Sequence, residues 1–384
     1  MIVVLRKIKS ILTYSELKRI DSKLINSFRD KVNESGWVLH LYNRISEVDK
    51  WSIICSAMDW INVSIDGIDL NKINRDNGLE ASRQLILFVS CIDILFESVS
   101  QLHRVIFDTS ERPFSDKDDI FQNKLFSAPD NKYFKTIRAC FAAHPVDLED
   151  PFTGGKKEKR YASWSGNFFG KGDFSVFLYS YEKNIPFIEM GISLRELMEF
   201  AFRFYTHLET IILEIDKQIH EHIEACRNIV IPKTDDPIDQ INILYSELEK
   251  RLDNNYYRSE LDSIIMLLEA PISNEKNKHV VEQYRKKLLS VIDEIYNNIQ
   301  QMTYSDLFSL NDLEMRPPYN YDYIKFCEHV HGGGNSLFSE KSVVELFSKD
   351  LKGLVDFSDY YDCNELYMLI KAGLYMKYIN KHFV

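Results

Sequence analysis

The chain has 384 residues, 45% of them apolar and 27% charged, with a formal net charge of -11. That is the composition of a folded protein of two or three domains rather than a disordered one. The acidic balance excludes a surface coated in Lys and Arg for wrapping duplex DNA, although it leaves room for a local basic patch. Cys55, Cys91, Cys140, Cys226, Cys327 and Cys363 are scattered with no C-x-x-C pair, as expected of buried thiols in a reducing compartment. The apolar run in the opening "MIVVLRKIKS" is too short for a signal-peptide core, and no later stretch approaches the roughly 18 uninterrupted apolar residues that span a bilayer. The expectation is a cytoplasmic protein without membrane contact.

In chain order, residues 1–77 read as a helical segment, with "SELKRIDSKLINSFRDKV" its clearest piece. In "ASRQLILFVSCIDILFESVSQLHRVIF", Leu85, Phe88, Ile92, Leu95, Val99, Leu102 and Ile106 recur at three and four residues, which predicts a long helix with one stripe facing a core. A second long helix begins at "SLRE", where Ser193 is placed to cap and Glu196 to reach back, and it carries Leu197, Phe200, Phe204, Leu208, Ile211 and Ile215. Between the two, "RYASWSGNFFGKGDFSVFLYSYEKNIPFIEMGI" changes period. Its aromatic and β-branched residues, with bends at the glycines 166, 170 and 172 and near Asn184 and Pro186, predict a small antiparallel meander over 159–192.

"NIVIPKTDDPIDQ" is proline-rich and acidic and reads as a linker. Beyond it Leu244, Leu248 and Leu252, then Leu261, Ile264 and Leu268, then Val281, Leu288, Ile292, Ile295 and Ile299 mark three further helices, and 343–379 reads as short helices. The expected fold is mainly α: a helical bundle with an inserted antiparallel β meander, plus flanking helical segments. The expected organisation is an N-terminal segment 1–77, a bundle 78–230 and a C-terminal helical domain 231–384.

Phosphate loops, dinucleotide-binding glycine motifs, nucleophile elbows and H-E-x-x-H are all missing. "HGGGN" without a nucleophile elbow is a turn, and "CEHVH" lacks the second ligand pair that a zinc site wants, so no metal and no cofactor is expected. That leaves "KTIRACFAAHPVDL". Arg138 and His144 would stand about 120° apart on an ideal helix. Pro145 disfavours the α conformation at His144, so the helix should end there and free the imidazole to swing toward the arginine's face. A histidine at a helix C-terminus is favoured in its protonated form, which suits proton transfer. A guanidinium clamps a phosphate and a histidine moves a proton; because RNA carries its own nucleophile in the ribose 2'-hydroxyl, the two residue types suffice in kind for phosphodiester cleavage. Asp93 and Glu97, one turn apart, are placed to orient Arg138 if their helix packs alongside. Lys156, Lys157, Lys159 and Arg160 in "GGKKEKR" form a basic run beside Tyr161 and Trp164 that suits substrate contact. The other reading of these residues is a non-catalytic helical sensor or scaffold that uses the aromatic meander as its contact surface.

An R-x(4–6)-H motif late in a helical bundle, here "RACFAAHP", resembles the HEPN superfamily of toxin and phage-defence ribonucleases over about residues 78–228. The resemblance implies a bundle of four or five helices, a homodimer, metal-independent cleavage of an RNA substrate, and an antitoxin or regulatory protein as partner. It makes Arg138 the phosphate-binding residue and His144 the proton-transfer residue. Two features depart from the family pattern: Ala139 where a polar residue is common after the arginine, and a meander larger than a minimal bundle requires.

Overall fold

A computed structural model describes residues 19–74, 78–142, 148–149, 159–164, 170–311, 313, 320–332 and 337–382. The fold is mainly helical with one small antiparallel sheet. The chain divides into two compact units, Met1–Ile219 and His220–Val384.

The first described helix of the first unit is α1 (Lys23–Asn33), which buries Ile25, Phe28 and Val32, spaced three and four residues apart on one face. A short α2 (Trp37–Leu39) runs into a π turn, and α3 (Lys50–Ile65) starts at Asp49, whose carboxylate accepts the Ser52 N–H. Then comes α4 (Gly78–Ile106), whose whole predicted stripe from Leu85 to Ile106 is buried. By length and mean hydropathy this helix would also suit a bilayer, yet its apolar stripe is spent on the protein core. Residues 20–68 pack into the same core as α4, so they form no separate segment. Periodicity shows which face of a helix is apolar but not which neighbour covers it, and here α3 lies along α4.

After a long connection, α5 (Asp130–Phe141) packs on α4, followed by the two-residue β1 (Leu148–Glu149), β2 (Lys159–Ser163), β3 (Phe174–Ser180), β4 (Ile188–Ile192) and α6 (Leu194–Asn228). The four strands run in chain order, all antiparallel, with Tyr161 opposite Tyr179 and Val176 opposite Met190. The second predicted bend is present, with Asn184 at φ +68; of the first, Gly170 and Gly172 are described and Gly166 lies outside the described residues. Gly172 has φ +75, and an added Cβ would lie 2.5 Å from the Ile192 carbonyl, so the turn needs glycine there. The inner face of the sheet buries Phe174, Val176, Leu178, Met190 and Ile192.

Four aromatic rings fix the three helices that matter for the site. Phe96 of α4 meets Phe134 of α5 at 5.8 Å and Phe200 and Phe204 of α6 at 5.5 and 4.8 Å, and Phe134 stacks on Phe200 at 4.4 Å. All four are fully buried, and each is a site where truncation costs about 3–5 kcal/mol.

The start of α6 departs from the expected capping box. Ser193 Oγ does accept the Glu196 N–H at 3.4 Å, but the Glu196 carboxylate turns outward to accept the N–H of Gln122 at 3.1 Å, and Asp173 takes the Leu194 N–H instead. The connection before α5 lies close enough to supply a stronger claim on Glu196 than the helix's own backbone.

The second unit begins inside α6, a little before the predicted linker, because the last turns of that helix are tied to later elements. Buried Arg251 donates to the carbonyls of Cys226 and Ile229 and pairs with Glu247 at 2.7 Å. It comprises α7 (Pro237–Arg251), α8 (Asn255–Glu269), α9 (Lys278–Gln301), α10 (Phe308–Asn311), α11 (Tyr321–Val330), α12 (Glu340–Asp350) and α13 (Cys363–His382). The predicted stripes of the first three make up its core, except that Leu268 lies at the margin and Leu252, buried just past the end of α7, lies outside the cluster. The chain end carries one helix of 20 residues, α13, rather than short pieces only.

Candidate functional site around Arg138

α5 begins at Pro129 and Asp130, a proline and an acid that both suit a helix start. Asp130 is 1% exposed, and its carboxylate accepts the N–H groups of Asp119, Ile120 and Phe121, the Lys124 ammonium at 2.8 Å and the Arg203 guanidinium at 3.2 Å. Burial alone would push this carboxyl up; the Lys124 hydrogen bond and the three backbone N–H groups outweigh it and hold the carboxyl below its ordinary range. Lys124 also pairs with Asp118, and Arg203 with Asp119 at 2.6 Å, so the network clamps the connection before α5 to both α5 and α6.

Arg138 lies two turns further on, in the last turn of α5, with its side chain 50% exposed. Its Nε pairs with Asp93 of α4 at 3.0 Å, and its two Nη groups donate to no described residue. Asp93 is 17% exposed; burial pushes its carboxyl up, and the Arg138 charge opposes that shift. The expected orienting role thus falls to Asp93 alone. Glu97, one turn along, instead pairs with Arg112 at 2.8 Å and Lys135 at 3.5 Å, and Arg112 lies over the Phe96 ring at 5.0 Å. Despite its own burial, Glu97 is held below the ordinary carboxylate range by those two cations.

The described part of α5 ends at Phe141, where Ala142 donates to the Arg138 carbonyl. His144, Lys156 and Lys157 lie outside the described residues. Phe141 meets Trp164 edge-on at 5.7 Å, which ties the end of the helix to the end of β2. Cys140 within the motif is no nucleophile, because burial pushes its thiol up to about 12.

The basic run divides. Lys159 is exposed on β2, but Arg160 is 5% exposed and donates to the carbonyls of Leu178 and Pro186. Arg160 is therefore part of the sheet's interior, a correction to its expected place among substrate-contacting residues. Successive side chains of a strand point to opposite faces, so adjacent Lys159 and Arg160 cannot both face solvent on one side.

Two groups escaped the sequence reading. One is the Asp130 network, whose bonded partners are up to 84 residues apart, as in Arg203 with Asp119; the acid after Pro129 was its only local signal. The other is a histidine pair, His103 Nδ1 and His207 Nε2, 3.0 Å apart between α4 and α6 and packed against Phe107 and Phe114. Burial holds both rings below the ordinary histidine range, His207 at about 4 with a further push from His103, so at neutral pH one uncharged ring hydrogen-bonds the other. Among the described residues no cluster of three or more His, Cys, Asp or Glu is arranged to hold a metal.

No protein-family profile, curated protein or solved structure matches the chain.

Proposed function

We propose that the first unit is a metal-independent endoribonuclease of the toxin or phage-defence type, with Arg138 and His144 as its reacting pair. One observation carries the reading: Arg138 is braced through Nε by Asp93 and presents the Nη side of its guanidinium, unpaired among the described residues, at a half-exposed helix end. This is the orientation in which a guanidinium forks onto two phosphate oxygens, and a carboxylate behind it reduces the entropy lost on binding.

In the reaction, the ribose 2'-oxygen attacks the adjacent phosphorus as a base takes the hydroxyl proton. The P–O5' bond then breaks, and the leaving oxygen takes a proton from an acid. The products are a 2',3'-cyclic phosphate and a free 5'-hydroxyl, and Arg138 stabilises the charge that builds on the phosphate oxygens. One histidine per chain serves one of the two proton roles; a symmetric homodimer that brings two copies of the pair into one cleft supplies the other. An antitoxin or regulatory protein is the natural partner under this reading, in the cytoplasm.

The test is the chemistry of the ends. RNA incubated with the protein and a chelator should yield cyclic phosphate and 5'-hydroxyl termini, and a substrate with a single 2'-deoxyribose at the cut should resist there. Cutting at the deoxy position, or 5'-phosphate products, would rule the mechanism out.

A second reading is favoured by the outer face of the sheet. Tyr179 and Phe187 are 48% and 54% exposed, with ring centroids 5.8 Å apart, and Phe177 lies 4.7 Å from Phe187. Such an aromatic platform suits a sensor or scaffold that binds RNA or protein without cutting. Absence of cleavage, together with loss of a binding partner in Tyr179→Ala/Phe187→Ala, would favour it.

A further inference from the structure

A cavity of about 440 Å³ opens between α5, the connection before it, the free edge of the sheet at β4 and the start of α6. Its floor is apolar: Phe121, Tyr133 and Ile137 are buried there, with Leu125 beside them. Its walls are polar, and their hydrogen-bonding capacity is largely unspent. Glu189 uses one carboxylate oxygen to accept the Lys171 N–H at 2.8 Å, and Glu196 uses one to accept the Gln122 N–H at 3.1 Å. Among the described residues, the second oxygen of each has no partner, nor have the Asn123 amide and the Lys171 ammonium. Burial, with Glu199 and Asp130 nearby, pushes the Glu196 carboxyl above its ordinary range in spite of the Gln122 N–H. Its charged form is short of donors.

An apolar floor with convergent polar groups at the rim, at this volume, is the usual form of a small-ligand site. The polar set narrows the ligand. Two carboxylate oxygens require donors; an ammonium and a carboxamide serve acceptors; the floor requires a flat apolar face. Among nucleobases only guanine puts adjacent donors, N1–H and the N2 amine, on one edge and adjacent acceptors, O6 and N7, on the next. Adenine would turn its N1 lone pair toward the carboxylate, and uracil has a single N–H between two carbonyls.

We propose that this cavity binds a guanine base, with the open oxygens of Glu196 and Glu189 accepting from its N1–H and N2 amine and Lys171 and Asn123 serving O6 and N7. The base arrives either as a free nucleoside or as one residue of a single-stranded RNA. This site is separate from Arg138, and binding to it requires no cleavage, so the proposal stands or falls apart from the ribonuclease reading.

Calorimetric titration of the full chain with guanosine, inosine and adenosine tests it, alongside a uridine oligonucleotide with and without one central guanosine. Guanosine should bind. Inosine, without the N2 amine, should bind about ten- to a hundredfold more weakly, the worth of one hydrogen bond to a charged group, and adenosine more weakly still. Glu196→Gln keeps an oxygen for the Gln122 N–H, so it should retain the parent's thermal unfolding while losing guanosine binding by at least about tenfold. Lys171→Met, at an exposed position, should weaken binding without touching the core. Preference for the guanosine-containing oligonucleotide over free guanosine would assign the site to RNA, and equal binding to the nucleoside. Adenosine binding as tightly as guanosine, binding unchanged in folded Glu196→Gln, or no guanine preference in any ligand would overturn the proposal.

Discussion

At its N-terminal end α5 buries Asp130 beneath five donors; about 12 Å along the same helix, Arg138 meets one carboxylate and leaves half of its side chain to solvent. Both places join α5 to a neighbouring helix through charge. The first is saturated, with burial balanced by ligands on the anion, and has no capacity left for a substrate. The second is unsaturated, with a cation fixed in direction but not neutralised from every side. A buried ion is tolerated only when fully paired, so saturation marks a clamp; a half-paired charge at a surface is stable without further ligands and is available to one.

Substitutions that separate stability from activity sharpen the contrast. The largest effect is expected at Asp130: alanine there takes the acceptor from three backbone N–H groups and leaves Lys124 and Arg203 with only the more exposed Asp118 and Asp119, and should cost about 3–5 kcal/mol of unfolding free energy by urea titration. A loss under about 1 kcal/mol would show that the clamp is no clamp.

Acid should reveal the next effect. His207 has its folded value depressed from 6.5 to about 4, so the unfolded chain binds the proton first, and stability present above pH 6.5 is lost as pH falls toward 4. The loss is about 3 kcal/mol if His207 carries the full shift. Asp130, also depressed, adds a loss at lower pH, as its own folded carboxyl is protonated. His207→Phe, facing Phe107 and Phe114, should flatten the upper part of this acid limb; an unchanged slope would remove the histidine pair from the account.

At the unsaturated end, Asp93→Asn keeps the shape and removes the charge behind Arg138. We expect cleavage to fall about tenfold, with less than about 1 kcal/mol of stability lost, because a half-exposed pair is screened. The smallest effect is expected at Lys135, whose pair with Glu97 is exposed and 3.5 Å long: alanine there should change stability by less than about 0.5 kcal/mol and leave cleavage alone.

Much of this arrangement was legible in the sequence. The stripes of α4 and α6 follow directly from three- and four-residue spacing, and the meander's bends from glycine, asparagine and proline. Asp93 and Glu97 were both placed to orient Arg138 if their helix packs alongside; it does, and only Asp93 makes the pair, because Arg112 and Lys135 take Glu97. Long-range choices were not legible. Nothing local shows that residues 20–68 share the core of α4, that Gln122 draws Glu196 away from its own helix start, or that Asp130 gathers Lys124 and Arg203. Arg160 was misplaced because a run of like charges suggests solvent, whereas strand alternation turns every second side chain inward.

The central claim is that Arg138 acts on substrate and Asp130 on the fold. The most direct measurement compares RNA cleavage in chelator and thermal unfolding for the parent, Arg138→Ala and His144→Ala. Both variants should unfold within a few degrees of the parent and cleave at least about a hundredfold more slowly. Cleavage at the parent's rate by a folded Arg138→Ala protein would contradict the claim.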